Sequence, residues 1–323
     1  MRCLAKITVV LLFALFFTAA GFAGAPNSVA WAGGTDAAIQ SLTNRAQLSP
    51  NDAEAYHQLS KIYYHLAMWD RSVQNAERAV ALDPNNSDFW MWLGRAYGEK
   101  ADHSNFVSAY GLAKKVHSSF EKAVALNPTN VPAMTDLAEF YAEAPGVVGG
   151  GTDKAAGIAD KLSSVDKAKS DWVRALVAEK DKDYGTAERA LLDAIRDSGN
   201  NGEYWLNLAY LYGTLKRWSE MDQAIASGLK SNNKPVEAFY NAASDYYRVD
   251  RNLPQAASML RKYIASAPDN DEAPMFQAHY LLGEVLERQG DTAAAAIEYR
   301  KALALASGYT PAAEALKRVS TTD

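Results

Sequence analysis

Asn207 and Asn241 stand 34 positions apart. Each carries a carboxamide, a group that donates and accepts hydrogen bonds. An extended peptide presents one N–H and one C=O per residue, so a spaced pair of carboxamides suits it. His57, Lys61, Tyr64, Trp92, Arg95, Tyr210 and Tyr240 are further candidates for a binding face, since Trp, Tyr and Arg most often dominate contacts. Gly149-Gly150-Gly151-Thr152-Asp153 offers different chemistry. Glycines let backbone amides approach an anion, and a helix starting at Thr152 would add its positive end. The plainer reading is a wide turn with Thr152 as helix cap. No Lys-Ser/Thr pair follows, so this is not a nucleotide-binding P-loop. The histidines are His57, His65, His103, His117 and His279. His57 and His65 are two helical turns apart, ~12 Å, too far to share a metal ion at ~2 Å bond lengths. No metal-ligand spacing, hydrolase elbow, zinc-protease motif or calcium loop appears, so no metal, cofactor or catalytic residue is expected.

The elements that must carry these side chains are helices of a repeat. Tyr56, Leu59, Tyr63, Ala79 and Pro84 stand at fixed offsets, and Trp90, Leu93, Gly94 and Tyr97 restate the opening of that set 34 residues later. Trp90-x2-Leu93-Gly94-x2-Tyr97, closed by an alanine and a proline, resembles the tetratricopeptide repeat. The resemblance implies an all-α, right-handed superhelical solenoid of about seven helical hairpins with a C-terminal capping helix. Residues 33–50 form a leading half-repeat, and 53–86 form the first full unit. The second unit, to about Pro128, carries some ten extra residues around Asp102–Leu112. The third, from Val131, is interrupted at 144–151. The fourth covers about 168–198. The fifth and sixth start near Gly202 and Val236, and the seventh carries His279, Leu282, Gly283, Ala295, Tyr299 and Ala302. Residues 310–319 end the array, with Lys317 and Arg318 on the outer side.

In this family the first helix of each hairpin lines a concave groove. The resemblance therefore gathers His57, Lys61, Tyr64, Trp92, Arg95, Asn207, Tyr210, Tyr240 and Asn241 onto one peptide-binding face, with Tyr64, Trp92 and Tyr240 exposed. In peptide-binding relatives an asparagine at the place of Asn207 and Asn241 holds the ligand backbone. The Lys, Asn and Arg set that grips a C-terminal carboxylate in chaperone-binding relatives is incomplete here. A narrower resemblance runs from Leu93 to Ala155. LGRAYGEKA, FEKAVALNPTN and LAEFYAEAPGVVGGGTDKA are similar to stretches of exported bacterial tetratricopeptide proteins, a group that brings no assigned activity with it.

The N-terminus is a separate matter. Arg2 and Lys6 flank an apolar run from Ile7 to Phe17, followed by small residues. This is the layout of a secretory signal peptide over residues 1–32, cleaved after Ala23, Ala25 or Ala32. The run is shorter than the ~20 residues of a membrane span, so the mature form, 33–323, is expected to have none. Cys3 is the only cysteine and would be lost with the leader, which suits an oxidising compartment, periplasmic or extracellular. The precursor's net charge is −5, and loss of Arg2 and Lys6 makes it −7. No basic stripe appears, which argues against nucleic acid.

The function expected from the sequence is a non-enzymatic, exported interaction module that holds a polypeptide segment in its groove. One alternative is a small-ligand receptor or enzyme using the 102–112 insertion and the 149–151 loop. Another is a structural subunit that assembles through its end repeats.

Overall fold

Short polar side chains start the helices. Asp52, Asn86, Asn105, Asn130, Asp166, Asp183, Asn201 and Asp291 each accept a backbone N–H from the first turn that follows. Such caps satisfy donors that the helix itself cannot. The computed structural model describes residues 34–266 and 271–321. The leader expected over 1–32 lies outside the described residues. The described residues form sixteen α-helices: a leading helix α1 (Thr35–Leu48), then seven antiparallel hairpins, then α16 (Thr310–Ser320). The hairpins are α2 (Ala53–His65) with α3 (Trp69–Leu82), α4 (Ser87–Asp102) with α5 (Phe106–Leu126), and α6 (Val131–Glu143) with α7 (Thr152–Leu162). They continue with α8 (Lys167–Lys180) and α9 (Tyr184–Asp197), α10 (Gly202–Thr214) and α11 (Trp218–Lys230), α12 (Ala238–Arg248) and α13 (Leu253–Ala265), and α14 (Met275–Arg288) and α15 (Thr292–Leu305).

Small residues set the spacing within each hairpin. A Cβ on Gly94 would lie 2.4 Å from the Phe120 ring, and one on Gly283 would lie 2.4 Å from the Tyr299 ring. These glycines let α4 reach α5, and α14 reach α15, across an aromatic side chain. Fully buried Ala79, Ala96, Ala123, Ala187, Ala194 and Ala295 do the same work elsewhere. Trp90, which opens the second unit, is only partly buried and donates its indole N–H to Pro84 O at 2.9 Å.

The two departures from the repeat resolve differently. The extra residues of the second unit add helix rather than loop: α4 runs on to Asp102, and α5 is 21 residues long. The start of α5 projects, leaving Phe106 and Val107 exposed. The segment 144–151 forms a single 3-10 turn (Gly146–Val148) and a bend.

The array does not end in water at both sides. Leu59, Ile62 and Tyr63 of α2 and the following Leu66 share one apolar cluster with Phe276 of α14, Ala302 of α15, Ala306 and Tyr309 of the next turn, and Ala312 of α16. Thr35 Oγ1 donates to Leu305 O at 3.2 Å, and Gln277 Nε2 donates to His65 O at 3.1 Å. Lys61 pairs with Asp271. The first and last repeats thus meet, and the array closes on itself. Arg318 is exposed on the outer side of α16, as expected, and reaches back to Glu284 and Glu287 of α14 at 2.9 and 2.7 Å.

Candidate functional site

Consecutive antiparallel hairpins make their first helices parallel, so α2, α4, α6, α8, α10, α12 and α14 run the same way. Closure brings the inner faces of α2, α4, α10, α12 and α14 around a cavity of ≈ 320 Å³. Its lining includes Tyr64 and His65 of α2, Trp92 and Glu99 of α4, and Glu203, Leu206, Asn207 and Tyr210 of α10. Tyr240, Asn241, Ser244 and Asp245 of α12 complete it with Glu272 and Gln277. Six of the nine groove residues expected from the sequence therefore meet here: Tyr64, Trp92, Asn207, Tyr210, Tyr240 and Asn241.

The other three lie behind the wall. His57 is 7% exposed and packs at a tilt against Phe89, with ring centres 4.7 Å apart. Burial, with nearby Lys61, lowers its pKa to about 3, so it is neutral. Lys61 is committed to Asp271, and Arg95 donates to Asp136 at 2.6 and 3.2 Å, both groups buried. The expectation that Lys61 and Arg95 point into an open groove is thus corrected: both are built into internal ion pairs. Tyr64 and Trp92, expected to be exposed, are each 8% exposed. They pack edge to face at 5.6 Å, and the cations of Lys61 and Arg95 lie 5.1 and 4.9 Å from the Trp92 ring. This cluster fixes the ring, a rigid surface rather than a mobile anchor.

Asn207 Nδ2 is buried and has no hydrogen-bond partner. A buried amide without an acceptor costs stability unless a water or ligand supplies one. Glu99 accepts the Tyr64 hydroxyl at 3.2 Å, and its pKa is raised by burial. Glu203 is held by Lys169 at 2.6 Å. Asp245 is pushed up to about 7 by burial, against the opposing pull of Arg248 at 3.5 Å. Glu272 is also pushed up to about 7, chiefly by burial. Beyond the cavity Glu179 of α8 reaches about 7 through burial and then the Glu143 charge.

The acids and Gln277 were missed from the sequence. Glu99, Glu203 and Asp245 sit outside the consensus spacing, and Glu272 and Gln277 enter only because the ends meet.

The glycine stretch lies elsewhere. The N–H groups of Gly149, Gly150 and Gly151 donate to Gly146, Pro145 and Tyr141 carbonyls at 3.0, 3.3 and 2.7 Å. None of the three is left for an anion. A Cβ on Gly150 would lie 1.7 Å from Ala144 O, so the backbone itself demands glycine there. Thr152 is the first helical residue, and Gly151 stands at the cap. Among the described residues, no three metal-ligating side chains come together, and no helix is long and apolar enough to cross a membrane.

This is the architecture of a tetratricopeptide-type helical repeat, a fold that generally serves as a protein–protein interaction scaffold. The tetratricopeptide repeat family model matches residues 57–113 and 240–310, at the two ends that meet. No curated protein matches the chain. Among solved structures, yeast Tom70 is 14% identical over 89% of this chain and 59% of its own, with a TM-score of 0.54. TTC0263, a thermophilic TPR protein of Thermus thermophilus, is 18% identical over 55% of this chain and 90% of its own, at 0.46. A human IFIT1 dimer with PPP-AAAA is 16% identical over 84% of this chain and 68% of its own, at 0.43. These likenesses are of fold.

Proposed function

We propose that the protein is an exported, non-enzymatic interaction module that takes a short segment of a partner polypeptide into the cavity its repeats enclose. The observation that carries this reading is the convergence of Trp92, Asn207, Tyr210, Tyr240 and Asn241 on one cavity. Rings supply contact area, and carboxamides suit a peptide backbone. The carboxamides favour an extended segment, whose backbone N–H and C=O groups are free to meet them, over a helix, whose own are already paired. Four carboxylates in the lining disfavour a nucleic-acid phosphate there.

Selection from a random displayed-peptide library tests the reading. Enriched peptides should bind the Asn207→Ala/Asn241→Ala variant severalfold more weakly, at ~0.5–1.5 kcal/mol per lost hydrogen bond. Peptides that bind the double variant and Trp92→Ala as tightly as the wild type would overturn it. Export has its own test. Native protein should begin after Ala23, Ala25 or Ala32, whereas a cytosolic protein starting at Met1 would contradict export.

A further inference from the structure

The charged side chains that line the cavity are all acidic, while Lys61, Arg95 and Arg248 stand against its rings. Its lining carries Glu99, Glu203, Asp245 and Glu272, with no Lys or Arg among the described residues. Of these, Glu203 is neutralised at close range, by Lys169 at 2.6 Å. Glu99 meets the neutral Tyr64 hydroxyl. Asp245 has Arg248 at 3.5 Å, and that guanidinium lies over the Tyr210 ring, 3.8 Å from its centre.

Helix direction adds to the imbalance. Glu99 lies in the last turn of α4 and Asp245 in the last turn of α12. Glu143 and Glu179 end α6 and α8 in the same way, although Lys180 pairs with Glu143 at 2.7 Å and Lys100 and Arg248 share the last turns of α4 and α12. The parallel first helices therefore bring negative dipole ends and carboxylates to one side of the ring. That pairing is unfavourable for an acid and favourable for a cation. Lys61 and Arg95 already lie against the Trp92 ring and Arg248 against the Tyr210 ring, so Tyr240 is the lining ring with a face left to attract a cation. Independently, the buried Asn207 Nδ2 lacks an acceptor, which the carbonyl of a peptide unit would provide.

We propose that the cavity takes a cationic side chain, a lysine ammonium or an arginine guanidinium, with Glu99 and Asp245 as counter-ions and Asn207 donating to the same residue's carbonyl. The proposal deepens the polypeptide-binding reading and rests on it. A segment with one basic residue enters side chain first. The aromatic wall strips its water, and the carboxylates replace that water with fixed charge. Glu203 stays with Lys169 and shapes the floor.

The test uses the full-length protein. Peptides enriched from the library should share one Arg or Lys. Replacing that Arg by citrulline, which keeps the shape without the charge, should weaken binding about tenfold or more. Glu99→Gln and Asp245→Asn should each weaken the Arg peptide severalfold and leave the citrulline peptide unchanged. Equal affinity of the Arg and citrulline peptides, or equal losses for both in the variants, would overturn the proposal. If no peptide is enriched, the polypeptide reading fails by itself, and calorimetric titration with methylguanidinium and butylamine decides the cation site. Saturable binding that is lost in the Glu99→Gln/Asp245→Asn double variant supports a site for small cations. The absence of saturable binding overturns it.

Discussion

Phe276→Ala tests closure of the ring, on which the cavity depends. Phe276 is 2% exposed, lies 5.0 Å from Tyr309, and shares a cluster with Leu59, Ile62, Tyr63 and Leu66. Burying a ring of ~150–200 Å² at ~25 cal/mol per Å² contributes ~4–5 kcal/mol. A realistic unfolded chain already hides part of that area, which lowers the figure to ~3–4 kcal/mol. Cavity formation restores some of it, so a loss of ~3–5 kcal/mol is expected, the usual range for Phe→Ala in a core. The location of the loss matters more than its size. In an open array each repeat contacts only its neighbours, and damage to α14 stays near α13–α16. In a closed ring it also reaches α2, more than two hundred residues away in sequence. Hydrogen exchange read by mass spectrometry should show lost protection in α2 and α3 as well as in α14–α16. Loss confined to α13–α16 would refute closure.

Gly94→Ala should cost ~1–3 kcal/mol in a denaturation midpoint, because the Phe120 ring, 4% exposed, stands where the methyl would go. Asp136→Asn should cost ~3–5 kcal/mol, since it leaves Arg95 buried without its counter-charge. Lys216, in the α10–α11 turn, has φ 58°, so Lys216→Gly should raise stability by ~1 kcal/mol by relieving a left-handed backbone. Asp245 and Glu272 have folded pKa values of about 7 against ordinary values of 3.8 and 4.5. The folded state therefore binds more protons between about pH 4 and 7, and the ligand-free protein should lose stability as pH rises through that window. The groups facing Asp245 are Arg248 and Tyr210, and those facing Glu272 are Arg95, Glu237, Lys61 and Asp271. Asp245→Asn should flatten the slope, and an unchanged slope in urea titrations would count against the assignment.

The hairpins were legible because their signals are local. Pro84 and the Asn-rich turns end helices, and Gly94 and Ala79 stand where helices touch, so spacing alone located the units. The inner face followed from the same periodicity, which put Trp92, Asn207, Tyr210, Tyr240 and Asn241 on it. What was hidden depends on distant contacts. The pairing of Lys61 with Asp271 and of Arg95 with Asp136 converts two expected ligand contacts into wall supports. Nothing in a 34-residue pattern announces that Tyr309 will pack beside α2. The extra residues near Asp102–Leu112 read as an insertion, yet they suit helix, and Asn105 caps the longer α5. The glycine stretch looked like an anion loop because its amides seemed spare. Their acceptors on Gly146, Pro145 and Tyr141 are set by a bend that sequence alone does not fix.

The most direct test of the central claim is to find where a bound peptide touches the protein. An enriched basic peptide carrying a photo-activated benzophenone beside its Arg or Lys should label Trp92, Tyr210, Tyr240 or Asn241, inside the ring. Labelling of Phe106 and Val107 on the exposed start of α5, or of the Gly149–Gly151 bend, would contradict the account.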